Sequence, residues 1–225
     1  MLNKVFDTFH IIHNIYFKHK YLIPKKSYSM EGEDLIISEL TKNINNGFYV
    51  DAGCYHPIHL SNTYLLYKKN WSGINIDISK FSIKLFDYMR PNDVNINSAV
   101  ADTEGEISYF YQKKLSQLST TRREISTERM QGLIKEKKIK SFKLNSLINN
   151  SKFKDRQIDF LNIDIEGADF EALKSLNYNI YKPKIICIEI IEKNIIESQT
   201  YNFLKDLNYK KIWSSKSNFN HIFLK

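Results

Sequence analysis

Short apolar runs alternate with amphipathic stretches over most of the 225 residues, and this alternation predicts strands and helices in turn. Apolar runs place strands at about 47–52, 73–78, 93–97, 158–164 and 184–190. Helical spacing places helices at 61–69, 79–89, 144–149, 168–176 and 197–207, the second ended by Pro91. A further strand is expected at 106–111, a short one at 140–144, and a closing pair at 210–213 and 221–224 around a Ser/Asn turn. The polar residues 113–137 read as a partly helical insertion able to cover a ligand. Upstream, Ser29 to Asn43 predicts a helix with Leu35, Ile36 and Leu40 inward. Residues 1–26 predict an amphipathic helix and connector, with Leu2, Val5, Phe6, Phe9, Ile12 and Tyr16 at helical spacing. Packing on the domain, a dimer contact and a membrane surface all stay open for that helix.

Alternating units imply an α/β fold, with a mostly parallel sheet covered by helices on both faces. The closing pair adds one antiparallel strand. The expected architecture is a Rossmann-like seven-stranded domain over 27–225, preceded by a helical extension over 1–26. Such a length buries a core without disulfides. Cys54 and Cys187 lie far apart without metal spacing, which fits reduced thiols in a cytoplasmic protein. No run approaches the roughly 20 apolar residues of a membrane span. The net charge of +8 comes largely from scattered lysines, with one denser run at Lys135–Lys138. It suits a solvated surface, a phosphate-bearing partner or an anionic membrane.

Ligands of such sheets bind beyond the carboxyl ends of the strands. The candidates are therefore the polar residues that end apolar strands: Asp51, Asp77, Asn97-Ser98, Asp164 with Glu166, and Glu189. Gly47-Phe48-Tyr49-Val50-Asp51-Ala52-Gly53-Cys54 ends in a glycine turn, where Gly53 lets the backbone pass close to a ligand. Gly73-Ile74-Asn75-Ile76-Asp77 ends in a carboxylate placed for ribose hydroxyls. The fuller G-x-G-x-x-G run of dinucleotide sites is missing, because Cys54-Tyr55-His56-Pro57 follows Gly53. This pattern fits S-adenosyl-L-methionine better than a nicotinamide cofactor. Asp51 is then expected at the methionine end, with Ser98 and Ala99 at the adenine and Asp102 as a further acceptor for its amino group. Asp164 and Glu166, at i and i+2 of an extended chain, are expected to face one cleft. They would steady a sulfonium cation, and one would act as base. Glu189 is expected to meet the substrate. His56 is a second candidate for base or substrate contact.

With these residues in view, the chain resembles the FkbM family of methyltransferases. The resemblance runs through Ser27-Tyr28-Ser29-Met30-Glu31-Gly32-Glu33-Asp34, Gly47 to Gly53, His56-Pro57, Ser61-Asn62-Thr63-Tyr64, Trp71 to Asp77 and Ile158 to Asp169. It covers roughly 27–190. It implies a class I methyltransferase sheet and O-methylation of a sugar or polyketide hydroxyl. It also implies that the segment before the first strand encloses the cofactor. The family usually carries Gln where Met30 stands, so Glu33 becomes the expected cofactor contact from that segment.

The expected activity is methyl transfer to a hydroxyl of a small molecule or saccharide, free or nucleotide-activated, in surface polysaccharide biosynthesis. A magnesium-assisted variant would use Asp164, Glu166 and Glu189. An RNA methyltransferase is the rival reading, with Lys135 to Lys140, Arg122, Arg123 and Arg129 on phosphates. Neither an appended RNA-binding module nor an Asn/Asp-Pro-Pro-like tetrapeptide supports nucleic acid. A non-catalytic binding protein on the same fold is the third reading. Homo-oligomerisation stays open.

Overall fold

The computed structural model describes residues 2–225, and side chains from residue 5 onward. The strands of the main sheet are β1 (Phe48–Ala52), β2 (Ser72–Asp77), β3 (Val94–Asn97), β7 (Phe160–Ile163), β8 (Ile185–Glu189), β9 (Lys210–Ser214) and β10 (Asn220–Leu224). Their order is β3-β2-β1-β7-β8-β10-β9. All neighbours run parallel except β10, which is antiparallel to both β8 and β9. β1 is buried at every position, as a central strand covered on both faces must be. One core packs Val50, Ile74, Leu161 and Ile186 against the helices of one face. A second packs Tyr49, Trp71, Phe160 and Cys187 on the other.

Helices α2 (Glu33–Leu40), α3 (Tyr64–Lys68), α4 (Lys80–Met89), α6 (Leu144–Asn149), α7 (Asp169–Lys174) and α8 (Gln199–Asp206) fall where the amphipathic stretches predict them. α2 starts later than its apolar spacing suggests. Gly32 adopts the left-handed region at φ 96°, and the Asp34 carboxylate accepts from Tyr28 N and from the hydroxyls of Ser27 and Ser29. Those bonds fold Ser27–Gly32 into a turn and leave it outside the helix.

The insertion departs most from expectation. It leads into a second, three-stranded sheet in which β6 (Lys135–Phe142) lies between β4 (Ala99–Val100) and β5 (Gly105–Tyr111), the strand expected at 106–111. Helix α5 (Arg123–Arg129) spans part of the return, in line with a partly helical insertion. β6 begins at Lys135 instead of near Lys140, so the charged stretch Lys135–Lys140 is strand throughout. Its lysines stay solvated while the backbone pairs with β5, and Lys137 lies over the Tyr111 ring.

The N-terminal extension also differs. α1 (Leu2–Ile12) continues into a π-helical turn, His13–Lys18. Ile15 is fully buried and packs with Tyr28, Ile58, Tyr64 and Leu85, joined by Ile11 and Tyr16. Val5, Phe6 and Phe9 point to solvent instead of to the domain. The expected position of Leu2 on the stripe lies outside the described side chains. Among the described residues no helix is long and apolar enough to cross a membrane. Both cysteines are free and buried.

Beneath the strand ends lies a fully buried cation, Arg90. It donates to Tyr49 Oη at 2.8 Å, Thr63 Oγ1 at 2.9 Å, the Pro57 carbonyl at 2.6 Å and Ser61 Oγ at 3.2 Å. Tyr49 passes its proton toward Asp93, which also accepts from Gly73 N and Asn75 Nδ2. Removing the cation leaves Asp93 and Asp51 buried with less compensation. Arg90→Met is expected to lower unfolding stability by about 3–5 kcal/mol. Urea denaturation measures this, and a loss below about 1 kcal/mol would mean that water or rotation satisfies the network.

Candidate active site

One cleft crosses the carboxyl ends of β2, β1, β7 and β8, as the topology of such sheets dictates. Its first lobe is lined by Asp77, Ile78, Ser98, Ala99, Ser116 and Ser119, among others. Its second is lined by Asp51, Asn62, Asn162, Glu189, Ser217 and Asn220, among others. Gly53, Tyr55, Gln117, Asp164 and Glu166 border both lobes. Of the strand-ending residues expected from sequence, Asp51, Asp77, Ser98, Asp164, Glu166 and Glu189 are thus brought together.

Asp51 is buried, accepting from Thr63 Oγ1 at 2.7 Å and Asn162 Nδ2 at 2.9 Å. Asn162 in turn accepts from Asn62 Nδ2 at 2.9 Å. Burial raises the Asp51 pKa, opposed by the Thr63 bond and by Arg90. Gly53 sits at φ +83°, and a Cβ there would lie 1.7 Å from the Asp164 carbonyl oxygen. The turn closes only around glycine.

Asp77 accepts from Tyr55 N at 2.8 Å and Ser79 N at 2.6 Å. It therefore pins the turn after β1 to the turn after β2. Ser79, not Asp77, caps α4. Burial still lifts Asp77 to about 6. Ser98 Oγ is buried without a partner, and such an atom is costly unless a ligand or water meets it.

The other end is crowded with acids. β7 ends at Ile163, and Glu166 takes φ 58° with Gly167 at φ 97°. The extended i, i+2 geometry expected for Asp164 and Glu166 does not hold, yet the left-handed turn still leaves both on the cleft wall. Asp169, not either of them, accepts the turn's N–H groups, from Ile165 and Gly167. Burial, then the Glu189 charge, pushes Asp164 well above the carboxylate range. Burial, then Asp164, lifts Glu166 to about 7. Burial, then Asp169 and Glu166, lifts Glu189 to about 8. Arg129 from α5 donates to Glu166 and stands 3.9 Å from Glu189 Oε1, while Glu189 Oε2 is buried without a partner. Oxygen atoms of Asp164, Asp169 and Glu189 lie within 4.8 Å of one another. A divalent cation would have to compete there with Arg129 and with the backbone bonds to Asp169.

Four residues expected at the site lie outside the cleft, the first being Asn97, which is exposed and donates to the carbonyls of Asp77 and Ile78. His56 is fully buried, and its Nδ1 accepts from Ile58 N and His59 N at 3.1 and 3.0 Å. Its ring meets His19 edge-on at 4.5 Å. Burial, then His19 and His59, holds its pKa well below the usual value. It organises the loop and does not reach the cleft as base or substrate contact. Glu33 is fully buried too, accepting from Glu31 N and Asn220 Nδ2. It supports a cleft residue instead of lining the cleft, where the exposed Met30 does the lining. Asp102 is exposed and lines neither lobe.

Sequence reading gave no site role to Asn162, Asn62 or Arg90, whereas the insertion expected over 113–137 to cover a ligand does line the cleft, through Ser116, Gln117, Ser119 and Thr121. Asn162 was legible as a polar residue inside an apolar strand. The roof, Ser116 to Thr121, is anchored by Thr120 Oγ1, which donates to the Glu166 carbonyl at 2.7 Å, and by Arg122 to Glu171.

The fit to a nucleoside sulfonium rests on chemistry already present. A carboxylate with spare lone pairs and an orphan hydroxyl mark one lobe, and a crowd of buried carboxyl groups, able to ionise around a cation, marks the other. Among solved structures, the chain is similar to a TehB-like SAM-dependent methyltransferase from Corynebacterium glutamicum, at 10% identity, covering 88% of this chain and 89% of that one with a TM-score of 0.45. No curated protein matches. The family model of the methyltransferase FkbM domain matches residues 51–211. That match starts at the first carboxylate of the cleft and extends into β9, so the chain belongs to the FkbM methyltransferase family.

Proposed function

We propose that this protein transfers a methyl group from S-adenosylmethionine to a hydroxyl of a saccharide, free or carried on a nucleotide. The supporting observation is the continuity of the cleft, which joins a lobe bordered by Asp77, Ser98 and Ala99 to an acidic lobe walled by Asn62, Asn162, Ser217 and Asn220. Amide and hydroxyl walls suit a polyol, because each substrate hydroxyl needs a partner once desolvated.

S-adenosylmethionine supplies a methyl carbon made electrophilic by its sulfonium charge. Asp77 holds ribose hydroxyls, and Ser98 and the backbone at Ala99 meet the base. Asp51, through Thr63 and Asn162, holds the amino acid end. Asp164 and Glu166 balance positive charge in the cleft. Glu189 accepts the hydroxyl proton at its unpartnered Oε2. Much of the rate comes from holding two reactants in line. A panel of sugars and nucleotide sugars, scored by mass for an added methylene, tests the reading. Glu189→Gln is expected to lower kcat by about 10²–10⁴-fold, the range for a lost general base. Methylation confined to amines or thiols would reject the hydroxyl assignment.

A second observation favours a phosphate-bearing acceptor. A groove of about 690 Å³ abuts the cleft at Ser119 and is lined by Lys80, Lys113, Lys114, Lys135, Tyr109 and Tyr111, among others. Lysines with stacked tyrosines also suit RNA. RNA binding that collapses with salt, together with methyl incorporation into RNA, would favour that reading over a nucleotide sugar.

Asp77→Asn keeps one oxygen acceptor and its backbone bond. It is expected to weaken S-adenosylmethionine binding by at least ten-fold, since each hydrogen bond to a charged acceptor contributes about 1.5–3 kcal/mol. Calorimetry with equal affinities would reject the ribose assignment.

Glu166 at about 7 and Glu189 at about 8 hold protons near neutrality in the folded protein, against 4.5 ordinarily. Their stabilising contribution is complete below the ordinary value and is lost as pH rises through about 8. A bound cation favours their ionised forms. Binding near neutral pH is therefore expected to release protons, and affinity to rise as pH increases from 6 toward 8, roughly over the window these pKa values set. Calorimetry in buffers of different ionisation heat counts the protons, and net uptake would contradict the assignment.

A further inference from the structure

The extension turns an apolar surface to solvent. Among the described residues, fourteen large apolar side chains are exposed, and six of them, Val5, Phe6, Phe9, Phe17, Leu22 and Ile23, lie between positions 5 and 23. Such concentration is unusual for scattered surface apolar residues and marks an interaction surface. The side chains form a ridge. Phe9 stacks on His13 at 6.2 Å between ring centroids, and His13 stacks on Phe17 at 6.3 Å. The opposite face is held to the domain by buried Ile15 and by the ion pair of Asp7 with Lys84. The ridge is thus presented on a docked element.

The charge beside the ridge identifies what covers it. Lys18, Lys20, Lys25 and Lys26 are exposed and follow or interrupt the apolar residues. Asp7 is the only acidic residue among the first thirty, and Lys84 already compensates it. A second copy placed on this face would bring the same lysines against one another. An acidic bilayer surface meets both features at once: apolar side chains enter the acyl boundary while lysines reach phosphates.

We propose that residues 5–26 form an interfacial anchor that lays the enzyme on an anionic lipid bilayer. The ridge inserts Phe6, Phe9 and Phe17, and the lysines lie at headgroup level. This placement is independent of the acceptor assigned above, because the ridge shares no residue with the cleft.

Co-sedimentation of the full chain tests it, with vesicles of equal parts phosphatidylcholine and phosphatidylglycerol against phosphatidylcholine alone. Binding is expected to the mixed vesicles, to weaken as salt rises, and to be at least ten-fold lower without the anionic lipid, since each lysine near an anionic surface raises partition by roughly five-fold. The combined variant Phe6→Ser, Phe9→Ser, Phe17→Ser is expected to lower partition by roughly ten-fold or more. Its thermal midpoint and S-adenosylmethionine affinity are expected to stay unchanged, since these side chains are exposed. A second variant, Lys18→Gln, Lys20→Gln, Lys25→Gln, Lys26→Gln, removes the salt-dependent part. No vesicle binding, equal binding to both compositions, or binding unmoved by either variant overturns the proposal. So does a concentration-dependent dimer in light scattering that the Phe variant abolishes, which would assign the ridge to a second copy.

Discussion

A fully buried guanidinium holds this site together. Arg90 reaches β1 through Tyr49, the loop after β1 through Pro57 and Ser61, and the start of α3 through Thr63. Thr63 hands the connection to Asp51 at the cleft floor. A buried cation must find acceptors, here for both terminal nitrogens though not for Nε, because an unpaired one would cost several kcal/mol, on the order of the whole stability of a domain. That demand fixes the path of residues 53–63. The same path presents Gly53 and Tyr55 to both lobes of the cleft. Structure and site therefore share one constraint: the loop cannot move without stripping partners from a charge.

The cleft shows the opposite economy. Its floor is well compensated, but its far end gathers Asp164, Glu166, Asp169 and Glu189 against the single guanidinium of Arg129. Desolvated like charges cannot all ionise together. Such an arrangement is unfavourable in the free protein and favourable around a cation, which is how a binding site stores selectivity for positive charge. Arg129 comes from the insertion, so the same segment that roofs the cleft also moderates its charge. The placement of the insertion and the protonation of Glu166 and Glu189 are linked through one side chain.

The main sheet was legible because its strands are buried on both faces and read as unbroken apolar runs. The strand-ending carboxylates were legible for the same reason, since an acid beside such a run has few other uses. Asp51, Asp77, Asp164, Glu166 and Glu189 all followed from that contrast. In the second sheet β5 and the end of β6 were legible, but the first part of β6 was not, because it presents lysines to water and satisfies its backbone by pairing, which leaves no apolar signal. His56 and Glu33 misled because local sequence shows proximity to the glycine turn, not direction. His56 spends its Nδ1 on backbone N–H groups, and Glu33 spends both oxygens on Glu31 and Asn220. Arg90 was invisible for a related reason: a single arginine after a helix gives no sign that five acceptors converge on it from 15 or more positions away in the chain.

The extension carries the same lesson from the surface. Its helical spacing was clear, but periodicity states only that apolar residues share a face. Which face meets the domain is decided by fit, and here Ile15 fills the gap among Tyr28, Ile58, Tyr64 and Leu85. Once that contact is made, the helix cannot also turn Phe6 and Phe9 inward, because they lie on the far side. The π-helical turn at His13–Lys18 shifts the phase between the two stretches and keeps Phe17 in line with Phe9 and His13. A single buried isoleucine thereby commits a row of aromatics to the outside.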